Sequence, residues 1–190
     1  MKRLTLGAII IWLMVSLLVG CGSTEKGPSW KKYINNDLGV SFQYPATWKV
    51  ITDTEGKVIP EPEILIIDPN TVESDFAANI NFIIQQSLLL APSAAEQAES
   101  TEEFFELLGQ SSGIKDFQSL GFEPVKIGLS EAGILTMEYT VSQNNLRVRA
   151  KQLIVPAGQR TFFITCTALV ETWDNYEQVF DQVLKSFQFE

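Results

Sequence analysis

Apolar and polar residues alternate along several stretches of the chain, and an alternation with a period of two predicts β-strands. Val40 to Tyr44 is the first example, because Val40, Phe42 and Tyr44 fall on one face. On the same grounds we predict strands at 40–44, 48–52, 64–67, 79–85, 122–127, 133–142, 146–155 and 160–169. Turn residues separate these strands, which favours hairpins in an antiparallel sheet.

Two other segments repeat their apolar residues with the period of an α-helix. We predict that the first begins at a capping box formed by Ser100 and Glu103 and ends before Gly113. Its apolar face would consist of Phe104, Phe105, Leu107 and Leu108. A polar, alanine-rich turn or two over residues 92–99 could precede it. The second helix is predicted from Trp173 to Ser186.

The alternation also predicts the register of the hairpin over residues 133–155. A loop centred on residues 142–145 satisfies both faces at once, and a buried face specifies register strongly. The predicted pairs are Glu138 with Arg149, Thr140 with Arg147, Thr136 with Lys151, Tyr139 with Val148 and Met137 with Ala150. The next strand carries Phe162, Ile164, Cys166 and Ala168 on one face. Placing that face beside Val148 and Ala150 requires a loop of odd length.

The first 21 residues have the layout of a bacterial export signal. Two basic residues precede an apolar run over residues 4–19, and the small Gly20 precedes Cys21. Leu18-Val19-Gly20-Cys21 resembles the lipobox of bacterial lipoproteins, in which the cysteine is lipidated and becomes the N-terminus. The alternative is an ordinary secretory signal with an incidental cysteine. We predict a signal peptide over 1–20, a tether over 21–29 and one domain over 30–190, anchored to the cell membrane outside the cytoplasm.

Composition excludes several classes of function. Without the two basic residues of the signal, 12 basic residues face 23 acidic ones, so the mature net charge is −11. Such a chain repels nucleic acids, and the lipid must supply the attachment to the membrane. The chain has no histidine, which excludes a Ser-His-Asp unit and a histidine-ligated zinc site. Once Cys21 is lipidated, Cys166 is the remaining thiol, and we expect it to be an inert core residue.

One cluster of aromatic residues resembles a known family. Tyr33 is followed by Gly39-Val40-Ser41-Phe42-Gln43-Tyr44-Pro45-Ala46-Thr47-Trp48, which is similar to the opening of PsbP-like domains. The resemblance extends over about residues 31–189. It implies an α+β fold, an antiparallel β-sheet flanked by helices on both faces. It also implies a binding or assembly factor rather than an enzyme. The residues alone suggest that the cluster, Trp48 included, anchors the core.

Two sets of polar residues are candidates for binding. Asp68, Asn70, Glu73 and Asp75 supply the oxygen atoms that calcium prefers, although a solvated acidic loop explains them more simply. Arg147, Arg149 and Lys151 form a basic stripe on one face of a predicted strand, facing a single carboxylate, Glu138, across the hairpin. The stripe is either a partner-docking site or a cross-strand charge ladder. We predict no catalytic residue, no cofactor and no other metal site.

Two classes of function follow from these observations. The first is a non-enzymatic, membrane-anchored accessory that binds a protein of a membrane complex or an envelope component. The second is a lipoprotein that binds a small ligand in a pocket between sheet and helix. The resemblance adds a photosystem II-associated extrinsic subunit as a further alternative. An enclosed apolar cavity with a few inward polar groups would favour the ligand-binding class.

Overall fold

A computed structural model describes residues 28–51, 62–71, 76–110 and 113–190. The described residues form ten β-strands and two α-helices, which confirms the predicted α+β class. The strands are β1 (Trp30–Asn35), β2 (Val40–Pro45), β3 (Lys49–Ile51), β4 (Ile64–Ile67), β5 (Asn79–Gln86), β6 (Ile114–Ile127), β7 (Ser130–Val141), β8 (Leu146–Ala157), β9 (Arg160–Leu169) and β10 (Gln188–Phe189). The helices are α1 (Ala94–Gln110) and α2 (Glu177–Lys185).

Seven strands form one antiparallel sheet in the order β3-β4-β5-β9-β8-β7-β6. All eight predicted strands are present, but β6 begins at Ile114, well before the predicted residue 122. Three strands in the order β1-β2-β10 form a second, smaller sheet that the alternation did not predict. The small sheet packs its aromatic residues on the large one: the ring of Phe42 lies 5.9 Å from that of Phe82.

The large sheet is buried on both faces. On one face, Trp173, Phe180, Val183 and Leu184 pack with the small sheet over a core that includes Phe82 and Cys166. On the other face, helix α1 packs Ala94 and Ala98 over a smaller core that includes Leu135, Met137, Ala150, Ile154 and Phe163. Helices therefore flank the sheet on both sides, as predicted. Every buried residue of the two cores lies between Val40 and Phe187.

The predicted register of the β7–β8 hairpin is confirmed, since Glu138 pairs with Arg149 and Tyr139 with Val148. The predicted odd-length loop after β8 is wrong. Ala157 pairs with Arg160, so the turn contains two residues, and Phe162, Ile164, Cys166 and Ala168 face the opposite side from Val148 and Ala150. The prediction failed because it assumed one buried face, whereas both faces of β8 and β9 are covered.

Helix α1 begins earlier than the capping box at Ser100 predicts. The backbone N–H of Ser93 donates to Glu96 Oε2 at 2.8 Å, and the N–H of Glu96 donates to Ser93 Oγ at 3.3 Å. This reciprocal pair is a capping box that lies seven residues upstream of the predicted one. Ser100 lies inside the helix, where its hydroxyl donates to the Glu96 carbonyl at 3.0 Å.

The second helical segment is divided. A 3₁₀ helix covers Val170–Asn175 and α2 follows from Glu177, so the α-helix begins later than the predicted Trp173. Among the described residues, neither α-helix contains an apolar stretch of the length that a membrane span requires. Cys21, the signal at 1–20 and nearly all of the 21–29 tether lie outside the described residues, so lipidation stays a prediction.

Candidate functional site

A cleft of about 700 Å³ opens between helix α1 and the large sheet. It exists because α1 lies mainly over β6, β7 and β8 and covers this face of β5 and β9 only in part. We call it the α1 cleft. Its wall is formed by Thr101, Phe104, Phe105 and Leu108 of α1, and its floor includes Asn81, Ile83, Met137, Tyr139, Ala150, Gln152, Phe163, Thr165 and Thr167. The volume is within the range of about 300–1,000 Å³ that is typical of ligand pockets.

A row of polar side chains crosses the floor of the α1 cleft on three neighbouring strands. Asn81 of β5 pairs with Thr165 of β9, and Thr165 pairs with Gln152 of β8. The side-chain amide of Gln152 donates to Thr165 Oγ1 at 3.0 Å. Two acceptors of the row, Asn81 Oδ1 and Gln152 Oε1, are buried and have no hydrogen-bond partner among the described residues. A buried acceptor without a partner is destabilising, so the row is suited to accept hydrogen bonds from a bound molecule.

The α1 cleft is uncharged although the protein is strongly acidic. None of the described residues that line it is Asp, Glu, Lys or Arg. Tyr139 at its floor also stays neutral, because burial raises the pKa of its hydroxyl to about 12. Phe105 stacks between this ring and Phe117, with centroid distances of 5.0 Å and 5.4 Å. The described residues of the cleft therefore offer an apolar surface and neutral hydrogen-bonding groups, and none of them is a counter-ion for a charged ligand.

Four exposed leucines form a second feature at one end of the large sheet. Leu88, Leu89 and Leu90 follow β5, and Leu129 lies in the turn between β6 and β7; each is at least 79% exposed. Gln86 at the end of β5 pairs with Arg160, and the β6–β7 and β8–β9 turns lie at this same end of the sheet. We call these four residues the leucine end.

Hydrogen bonds hold the leucine loop against the neighbouring β8–β9 turn. The N–H of Ser87 donates to the Gln159 carbonyl and that of Ala91 to the Gly158 carbonyl, both at 2.8 Å. The Gln159 side chain donates to the Leu88 carbonyl at 3.1 Å. Leu88, Leu89 and Leu90 are therefore presented by a loop that hydrogen bonds hold in place. A soluble domain rarely exposes several large apolar residues together unless they meet a partner.

The basic stripe is neutralised more completely than its sequence suggests. Arg147 and Arg149 both bind the buried Glu138, with Arg147 Nη2 2.7 Å from Oε2 and Arg149 Nε 2.7 Å from Oε1. This pairing is the predicted charge ladder. Lys151 instead turns to helix α2, where its Nζ lies 2.8 Å from Asp181 and 3.1 Å from Glu177. The expectation of three cations facing one carboxylate is therefore wrong, because α2 supplies two more.

The stripe also packs on a tryptophan. The guanidinium of Arg149 and the ammonium of Lys151 lie 5.4 Å and 5.9 Å from the ring of Trp173. Burial alone would lower the pKa of Lys151, but its hydrogen bonds to Asp181 and Glu177 outweigh burial and raise that pKa. Lys151 and Arg149 are therefore structural contacts between sheet and helix. Arg147, with 62% of its side chain exposed, is the most accessible member of the stripe, and docking at the stripe stays a prediction.

Two of the four calcium candidates, Asp68 and Asn70, belong to the described part of the chain. Asp68 is buried, and both of its carboxylate oxygens are engaged: Oδ1 accepts from the backbone and side chain of Asn70 at 3.0 Å, and Oδ2 accepts from Tyr176 at 2.9 Å. These bonds join the loop to the residue before α2. Glu73 and Asp75 lie outside the described residues, so the complete calcium set stays a prediction.

Two further questions from the sequence concern other metal sites and the thiol of Cys166. Within the described ranges, no group of three or more acidic or cysteine side chains is arranged to hold a metal ion. Cys166 is fully buried, and burial raises the pKa of its thiol well above its usual value. The thiol therefore stays protonated and shielded from water, as expected of a core cysteine.

Sequence patterns missed both the α1 cleft and the leucine end. The polar side of β5 was visible as Asn79, Asn81 and Gln85, but periodicity does not reveal which part of a face a helix leaves open. The three consecutive leucines after β5 were a direct signal, because an apolar run that belongs to no strand or helix has no core to enter.

Comparison with models of known protein families and with curated proteins finds no match. Solved structures do match. The chain is similar to the solution structure of the cyanobacterial PsbP protein (CyanoP) of Synechocystis, with 17% identity, a TM-score of 0.64 and coverage of 91% of this chain and 99% of that one.

Two further structures share the fold at lower similarity. The Ran-binding protein Mog1p of Saccharomyces cerevisiae is 12% identical, with a TM-score of 0.55 and coverage of 85% and 96%. LpqN of Mycobacterium tuberculosis, described as involved in cell envelope biogenesis, is 13% identical, with a TM-score of 0.52 and coverage of 86% of each chain. At these identities the likeness shows the fold, and the fold is the PsbP-like one that the aromatic cluster implied.

Proposed function

We propose that the protein is a lipid-anchored, non-enzymatic accessory that works outside the cytoplasm and binds a protein of a membrane complex or of the cell envelope. The leucine end is the observation that carries this proposal. Leu88, Leu89 and Leu90 lie exposed on a loop that hydrogen bonds hold in place, and the exposed Leu129 lies in a turn at the same end of the sheet, as expected of a docking site. The fold is shared with a Ran-binding protein and with an envelope biogenesis protein, which agrees with a binding role.

The position of the tether supports a protein partner over the anchoring bilayer. The Ser29 carbonyl accepts from Ala46 at 2.7 Å, close to Lys49, which pairs with Ile67. Ile67 pairs with Asn79, the end of β5 that lies away from Gln86 and the leucines. Ser29, the last residue of the predicted tether, therefore lies toward the end of the sheet opposite the leucine end. The nine residues of the tether extend to about 30 Å at most, since an extended chain spans about 3.6 Å per residue.

Site-specific photo-crosslinking in intact cells tests this function. A photoreactive residue at Leu89 should form discrete protein adducts, whereas one at Asn144, in the exposed turn at the opposite end of the sheet, should not. Cys21→Ala should release the protein from membranes or leave it unprocessed, and should remove the adducts. Adducts to lipid alone, or equal adducts from both positions, would contradict docking through the leucine end. A mature N-terminus other than a lipidated Cys21 would contradict the anchor.

The α1 cleft favours a second function, the binding of a small ligand. It is a pocket between sheet and helix with an apolar lining and buried acceptors, the combination typical of ligand sites. The two functions are compatible, because the leucine end and the α1 cleft share no residue. Binding of an apolar probe to the purified domain tests the second function independently of any cellular partner.

A further inference from the structure

We propose that the α1 cleft binds an uncharged, mainly apolar small molecule that carries at least one N–H or O–H group. The proposal rests on the second function above and adds the chemical class of the ligand. Three properties of the cleft determine that class: the charge of its residues, its apolar lining, and the fact that its unsatisfied atoms are hydrogen-bond acceptors.

The described lining, which contains no Asp, Glu, Lys or Arg, favours an uncharged ligand. A carboxylate, phosphate or ammonium group would leave water without meeting an opposite charge, and an unpaired buried charge is costly. Anions are opposed further by the net charge of the protein, −9 over the full sequence. The aromatic and aliphatic side chains of Phe105, Met137 and Phe163 supply an apolar contact surface, and a planar or extended hydrocarbon body would bury most of it.

The unsatisfied atoms on the floor determine which polar group the ligand carries. Asn81 Oδ1 and Gln152 Oε1 both accept hydrogen bonds, and both lack a donor among the described residues. They belong to one row, flanking Thr165 on neighbouring strands. A ligand donor would satisfy an acceptor that is already desolvated, so the bond would cost the protein little further loss of water. A ligand that offers only acceptors would leave both oxygens unpaired.

Two fluorescent compounds that differ by one charge test whether the cleft prefers an uncharged ligand. N-phenyl-1-naphthylamine is uncharged, apolar and carries one N–H, and 8-anilino-1-naphthalenesulfonate adds a sulfonate to the same skeleton. Residues 22–190 are a suitable protein, because this segment contains every residue of both cores. We expect the amine to bind with one-to-one saturation and at least about tenfold more tightly than the sulfonate. Equal affinity for the two compounds would overturn the proposed ligand class.

A second experiment tests whether the ligand must donate a hydrogen bond. It uses 1-phenylnaphthalene, which lacks the N–H, as a competitor of the amine. Gln152→Met keeps a side chain of similar length and removes the acceptor. Gln152→Met should weaken binding of the amine several-fold relative to binding of 1-phenylnaphthalene. Gln86 is an exposed glutamine outside the cleft, so Gln86→Met should leave the ratio of the two affinities unchanged. Asn81→Leu removes the other acceptor, and an unchanged ratio in both Gln152→Met and Asn81→Leu would refute the requirement for a donor.

A cleft-filling variant shows whether the probe binds at this site. Thr101 lines the wall of α1, so Thr101→Trp should abolish binding of the amine while the domain stays folded by circular dichroism. Undiminished binding to the folded variant would place the probe elsewhere and overturn the proposal. If neither the amine nor 1-phenylnaphthalene binds the unmodified domain, the ligand-binding function fails as well, and docking through the leucine end stands on its own test.

Discussion

Arg147 and Lys151 project from the same face of β8, yet their replacement should have unequal effects on stability. Lys151 has a side chain only 17% exposed and contacts two carboxylates of α2, whereas that of Arg147 is 62% exposed and contacts one. Losing Arg147 also leaves Glu138 paired with Arg149. The structure therefore identifies Lys151 as a contact between sheet and helix and Arg147 as a surface residue.

The magnitudes follow from these contacts. An exposed ion pair contributes about 0–1 kcal/mol, so Arg147→Ala should lower the free energy of unfolding by less than about 1 kcal/mol. Lys151→Ala removes two pairs together with a hydrocarbon stem, so we expect a loss of about 1.5–2.5 kcal/mol. The estimate stays modest because Glu177 and Asp181 remain partly hydrated at 49% and 38% exposure.

Urea unfolding of residues 22–190, followed by tryptophan fluorescence, measures both changes. Lys151→Met is the matched control: it keeps most of the stem and should recover part of the loss. If Arg147→Ala costs as much as Lys151→Ala, the assignment of the two residues by exposure is wrong. The same distinction determines how docking at the stripe is tested. Arg147→Glu alone should leave the fold intact, because its side chain is 62% exposed; a salt-sensitive partner interaction that survives this change would exclude Arg147 from docking.

Three further predictions concern stability. Trp48→Ala should lower the free energy of unfolding in urea by about 3–5 kcal/mol, because Trp48 is buried and its ring lies edge-on against the rings of Tyr176 and Phe180. A folded variant of unchanged stability would contradict its role as a core anchor. Ser93→Ala should lower stability by about 1 kcal/mol, whereas Ser100→Ala should have little effect, and the reverse order would restore the capping box first predicted. Burial raises the pKa of Tyr139 and of Tyr176 to about 12, whereas an unfolded tyrosine ionises near pH 10. Stability should therefore be complete below about pH 10 and fall between pH 10 and 12, and Tyr139→Phe should make that fall less steep in alkaline unfolding.

The sequence predicted local structure better than it predicted the site. The register of β7 and β8 followed from alternation, because Glu138 and Arg149 on one face and Tyr139 and Val148 on the other fit only one pairing. The turn after β8 was mispredicted, because alternation does not reveal that a second layer covers the other face.

The helix start and the cleft illustrate the same limit. Ser93 and Glu96 repeat the spacing of Ser100 and Glu103, and only packing of Ala94 and Ala98 against the sheet decides between the two caps. The α1 cleft depends on how much of a face one helix covers. That extent is set by the position of the helix across the sheet, and no single segment encodes it.

Helix α1 is fastened unevenly, and this governs how a molecule would enter beneath it. In its first half, Ala94 and Ala98 pack against the sheet, and further along Phe105 lies between the rings of Phe117 and Tyr139. Beyond Phe105, Leu107 is exposed to water, and Gly109 lowers the helix propensity of the last turn. Fraying of that turn would widen the mouth of the α1 cleft while every strand stays in register. In an isolated peptide of about 20 residues, helix–coil relaxation takes about 0.1–1 μs. Entry would thus be timed by the unwinding of one helical turn rather than by the slower movement of whole structural layers.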